Sequence, residues 1–99
     1  MNYDIKLYNE KSELLKALAH PIRLCIVRGL LERGSCNVSY MEECLNVSQS
    51  AVSQHLTKLK AAGILKVNRI GNTNMYEVVN PDMIRLITCL FEEEGKRTK

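Results

Sequence analysis

The run Ser48-Gln49-Ser50-Ala51-Val52-Ser53-Gln54-His55-Leu56 sets amides and hydroxyls at helical spacing. No acidic residue falls between Glu43 and Glu77. Serine hydroxyls and glutamine amides are the groups that read base edges in the major groove of DNA, and a glutamine can bond adenine at two points. Gln49, Ser50, Ser53 and Gln54 are therefore the candidate base readers. Lys58, Lys60, Lys66 and Arg69 occupy the same acid-free stretch, where no carboxylate repels a phosphate. Thr57 and Lys58, a turn beyond the readers, suit the DNA backbone. Arg69, Asn72 and Asn74 suit phosphates or the minor groove. Polar residues after a helix cap are also ordinary solvent-facing positions, so the pattern gains its weight from the charge distribution around it.

That distribution is uneven. The net charge is only +3, a weak signal by itself. The first 43 residues hold six basic and six acidic side chains, and the last 23 hold four and five. The acid-free stretch supplies four basic and none acidic.

A helix must present these groups, and the apolar spacing supplies one. Val52, Leu56 and Leu59 recur at intervals of four and three, so a helix over Gln49–Ala61 buries that face and turns Ser50, Ser53, Gln54 and Thr57 outward. Ser48 is suited to cap its start, Gly63 to end it, and Asn46 to stop the helix before it. Upstream, Ile5, Leu7, Leu14, Leu15 and Leu18 mark a first helix from about Asp4 to Leu18, interrupted near Asn9. Pro21 opens a second helix, apolar on most faces, that ends at Gly34 and Ser35. A short third helix spans about Ser39 to Leu45. Downstream, residues 64–70 and 75–79 alternate as two strands around a glycine-containing turn. Asn80 caps a last helix bearing Met83, Ile84, Leu86, Ile87, Leu90 and Phe91, and the charged tail from Glu92 to Lys99 is expected to fray.

The fold class is mainly α with a β-hairpin wing, in the order α-α-α-α-β-β-α: a winged helix-turn-helix. With 99 residues the chain forms one domain over residues 1–99. Its first and last helices carry apolar surface in excess of so small a core, which predicts a homodimer built from them. Two reading helices roughly 34 Å apart would then require a near-palindromic site. No apolar run reaches the roughly 18 residues of a membrane span, and the start has no signal-peptide character, so no membrane partner and a cytoplasmic location are expected. An enzyme is not expected: His20 and His55 lie in different elements without an accompanying nucleophile.

Cys25, Cys36, Cys44 and Cys89 form no C-x-x-C pair, and reduced thiols are the expectation. Cys25 and Cys44 read as buried small hydrophobes. Cys36, in a loop, reads as the exposed thiol, and Cys89 as a residue of the dimer interface.

Ser48 to Leu65, together with His20-Pro21-Ile22-Arg23-Leu24 and the hairpin from Gly71 to Tyr76, resembles the ArsR/SmtB family of bacterial winged-helix repressors. The resemblance covers nearly the whole chain. It implies a homodimeric repressor bound to double-stranded operator DNA until a small inducer, often a metal or metalloid ion, releases it. The Cys-Val-Cys motif of arsenite-responding members corresponds here to Asn37-Val38-Ser39, so both ligands are absent although Cys36 adjoins the first. Zinc- and cobalt-sensing members use carboxylates and histidines on the last helix, where this chain has Asp82 and no histidine. Cys25 and Cys89 resemble in placement the thiol pair of persulfide- or oxidant-sensing members, with a different spacing. The candidate sensor thiols are thus Cys25, Cys36 and Cys89, with a thiophilic metalloid or metal ion, a reactive sulfur species or neither as inducer. A winged-helix protein-interaction module without specific DNA binding is the alternative.

Overall fold

The computed structural model describes the backbone of residues 1–97 and the side chains through Glu92. Five helices and one hairpin follow in the order α1 (Ile5–Leu18), α2 (Pro21–Arg33), α3 (Val38–Leu45), α4 (Gln49–Ala61), β1 (Leu65–Ile70), β2 (Thr73–Val78) and α5 (Pro81–Arg97). This is the winged helix-turn-helix order. Among the described residues no helix is long and apolar enough to cross a membrane.

Side chains start every helix. Asp4 accepts from the Leu7 amide, His20 Nδ1 from Ile22, Asn37 from Tyr40, Ser48 Oγ from Ala51, and Asn80 from Met83, at 2.9–3.2 Å. Each bond satisfies an amide that has no partner inside its own helix. Asn46 stops α3 in the left-handed conformation, φ 55°. Only Val47 and the cap Ser48 then separate it from α4. That short connection holds the two helices of the motif at a fixed angle.

The core lies where α2, α4 and the base of the hairpin meet. Val27, Val52, Leu59 and Ile64 are completely buried, and Leu30, Leu56, Leu65, Met83 and Ile87 nearly so. The hairpin is antiparallel, pairing Leu65 with Val78 through Ile70 with Thr73. Its two-residue turn has positive φ at Gly71 alone, as a type II′ hairpin turn requires. Two anchors tie the hairpin to the helical body: the Ile64 amide donates to the Leu59 carbonyl of α4 at 3.0 Å, and Cys36, between α2 and α3, exchanges backbone hydrogen bonds with Tyr76 at 3.1 and 2.8 Å.

Several expectations change. α1 runs unbroken past Asn9, where the Ser12 hydroxyl donates to the Asn9 carbonyl within a regular helix. α3 begins one residue early because Asn37 caps it, and β2 begins at Thr73 because the turn needs only two residues. α5 continues to Arg97. The backbone is therefore helical past Glu92, where the charged tail begins, and residues 98 and 99 lie outside those described. The thiols reverse: Cys36 is 5% exposed, whereas Cys25 and Cys44 are exposed. Pairing with Tyr76 draws Cys36 into the core. Cys25 projects from α2 on a face rotated from Ile26, Val27 and Leu30.

Replacing Leu59, which solvent does not reach, by alanine is expected to lower the unfolding free energy by about 2–5 kcal/mol. Urea denaturation checks this, and a loss below about 1 kcal/mol would remove α4 from the centre of the core.

Candidate nucleic-acid interface

The burial of Val52, Leu56 and Leu59 leaves the opposite side of α4 to solvent, and Gln49, Ser50, Ser53, Gln54, Thr57 and Lys58 are all exposed on the helix. Ser48 takes the Ala51 amide on its hydroxyl and the Val52 amide on its carbonyl. The Gln49 and Ser50 amides, at the first two positions of the helix, have no carbonyl within it to bond. They point out at the positive end of the helix dipole, an arrangement that suits a phosphate. Thr57 Oγ1 donates to the Ser53 carbonyl at 2.8 Å, which ties its hydroxyl back to the preceding turn.

The wing residues form a second exposed group. Arg69 and Asn74 face each other across the ladder, and the guanidinium donates to the Asn74 amide oxygen at 3.3 Å. Asn72 occupies the turn. The tip adjoins the start of α3, where Asn37 and Ser39 face Asn72, Thr73 and Asn74 across a cavity of about 280 Å³. Wing tip and α3 thus share one polar surface. Lys66 stands apart, because its ammonium lies 3.4 Å from Glu77, whose carboxylate also accepts from Asn68. The charge of Lys66 is therefore locally balanced, whereas Lys58 has no such partner among the described residues.

Two histidines that the chain order separates are brought together. The His20 and His55 rings lie 4.5 Å apart, so their placement in different elements does not keep them from meeting. Both rings hold the structure together, since His20 caps α2 and His55 Nδ1 lies 3.2 Å from Arg23 Nη1. Arg23 Nε also donates to the Ala17 carbonyl, so this arginine ties the end of α1 and the start of α2 to the inner flank of α4. Burial chiefly, then His20, Arg23 and Lys58, hold the His55 pKa below its ordinary value, which favours the neutral form of the ring. Periodicity and charge give Arg23 no role, and its one signal in the sequence is the His-Pro-Ile-Arg-Leu run.

The four thiols are free and divide between two places. Cys25, Cys36 and Cys44 line one cavity between α2 and α3, while Cys89 lies on α5 outside it. No three His, Cys, Asp or Glu side chains among the described residues are grouped to hold a metal ion. The Asp82 carboxylate is held by Lys11 at 2.8 Å and by Arg85, and Lys11 above all depresses its pKa.

Residues 20–67 match the family model described as bacterial regulatory protein, arsR family. The transcriptional repressor PagR of Bacillus anthracis is 41% identical over 81 residues, spanning 82% of this chain and 81% of PagR. Its crystal structure superposes with a TM-score of 0.81, covering 88% of this chain and 99% of that one at 38% identity. The repressor SmtB of Mycobacterium tuberculosis is 37% identical over 91 residues, 92% of this chain and 67% of SmtB. HlyU from Vibrio cholerae superposes with a TM-score of 0.83 at 31% identity, covering 89% and 95% of the two chains.

With its folded pKa depressed, His55 stabilises the fold above the ordinary imidazole range. That contribution fades as pH falls through about 6.5, where the unfolded chain binds a proton that the fold resists. Urea midpoints at pH 7.5 and 5.5 are expected to differ less for His55→Gln than for the unaltered protein; equal differences would show that the His20–Arg23–His55 contact carries no such linkage.

Proposed function

Because the chain belongs to the arsR family of bacterial regulatory proteins, we propose that it is a homodimeric, sequence-specific transcriptional repressor that an inducer releases from its operator. One observation carries this reading. The capped start of α4 exposes Gln49, Ser50, Ser53 and Gln54 on a surface without a carboxylate from Cys44 through Tyr76. Gln54 and Ser53 read base edges, Gln49 and Ser50 meet the groove rim, Thr57 and Lys58 hold the backbone, and Arg69, Asn72 and Asn74 engage phosphates beside the main groove.

The dimer rests on α1 and α5. Ile5, Leu7, Tyr8 and Leu15 on α1 and Ile84 and Leu90 on α5 are exposed, and Lys11–Asp82 holds the two helices side by side. A large apolar surface shared by adjoining helices suits a two-fold interface, which pairs like surfaces. The operator is then near-palindromic, with the two copies of α4 in successive major grooves. PagR and SmtB are described as repressors, which favours repression over activation.

An operator obtained by selection from random duplexes tests the reading. Gln54→Ala is expected to weaken operator binding about 5- to 100-fold while random DNA is held as before; Arg69→Ala is expected to weaken both and to reduce the salt slope by about one. Equal losses on both duplexes for Gln54→Ala, or an unchanged slope for Arg69→Ala, would contradict the roles given. Leu15→Glu is expected to yield monomers in sedimentation equilibrium, and a dimer of undiminished affinity would place the interface elsewhere.

A further inference from the structure

Gly29 stands in the interior of α2, where glycine costs about 1 kcal/mol relative to alanine. Its φ is not positive, and nothing lies within 4 Å of the place a Cβ would take. Neither backbone conformation nor close packing accounts for the missing side chain. Gly29 instead borders a cavity of about 340 Å³ between α2 and α3. A larger side chain would fill that space.

The lining has a distinct chemistry. Its floor is apolar, with Ile26, Leu30 and Met41 at most 5% exposed. Cys25, Gly29 and Arg33 follow one another at intervals of four along α2 and form one wall. Cys36 and Cys44 face it, so three thiols and the Met41 thioether surround the space. At the mouth the Arg33 guanidinium lies 4.0 Å from the centre of the Tyr40 ring and among the described residues has no ion pair, while the neighbouring Glu32, which also lines the cavity, has its carboxylate 3.9 Å from Arg28.

Polarizable sulfur attracts aromatic rings, guanidinium groups stack on them, and an arginine pairs with carboxylates. A cavity of this size takes a molecule of one or two rings. We propose that the space between α2 and α3 is a binding site for a small planar aromatic acid, with its ring against Gly29 and the sulfur atoms and its acid group on Arg33. The thiols are not grouped to share a metal ion and act here as walls.

The position links the site to both supports of the DNA surface. α3 carries Tyr40, Met41 and Cys44 and connects through Asn46 to α4. Cys36 is paired with Tyr76 of the wing. A ligand that moves α3 against α2 therefore shifts the reading helix and the wing together, and its effect on operator affinity rests on the repressor reading above.

Calorimetry with 2-naphthoate and neutral 2-naphthol on the full chain, without DNA, tests the site. One 2-naphthoate per chain is expected to bind saturably, Gly29→Leu to weaken it by about tenfold or more, and Arg33→Gln to weaken it while barely changing 2-naphthol. Bound 2-naphthoate is also expected to slow iodoacetamide alkylation of Cys25 and Cys44 in the unaltered protein and to leave Cys89 unchanged, which decides the matter even if Gly29→Leu does not fold. Absence of saturable binding, equal binding by a folded Gly29→Leu variant, or no selective protection of Cys25 and Cys44 would overturn the site. Operator affinity that stays constant with 2-naphthoate bound would overturn only its coupling to DNA.

Discussion

The burial of one stripe of α4 is the constraint on which the rest depends. Val52 and Leu59 are closed to solvent and Leu56 nearly so, and a helix that packs at these positions has no rotational freedom left. Ser50, Ser53, Gln54 and Thr57 then face outward by geometry alone. The same packing draws Ile64 and Leu65 under the helix and so sets where the hairpin begins. Reading surface and wing are two consequences of one core.

The contacts around α4 keep that orientation without touching the outer face. Ser48 fixes the start of the helix, Asn46 the angle to α3, and the His20–His55 contact with Arg23 the side toward α1 and α2. The wing is held at its base by the bond from Ile64 to Leu59 of α4 and along its length by Cys36 and Tyr76. The side chains of Gln49, Ser50, Ser53 and Gln54 thus stay open to a partner, while Thr57 bonds back to Ser53 and Arg69 to Asn74.

Most of this was legible because it is local. The spacing of Val52, Leu56 and Leu59, the cap at Ser48, the left-handed stop at Asn46 and the exit at Gly63 are each decided by a few neighbouring residues, and α4 has the expected bounds. What escaped the sequence depends on segments far apart along the chain. Cys36 is buried by its pairing with Tyr76, His20 meets His55, and Cys25, Cys36 and Cys44 converge on one cavity. Helical periodicity does not specify such meetings. The apolar surplus of α1 and α5 was legible as composition, while the partner that would cover it lies outside a single chain.

The central claim is that DNA lies along the outer face of α4 and the wing, leaving α1 and α5 to a second copy of the chain. Backbone amide NMR shifts followed while operator duplex is added test this most directly. The account predicts the largest changes over residues 49–58 and 69–74, with small changes in α1 and α5. Changes centred on α1 and α5, with α4 unaffected, would contradict it.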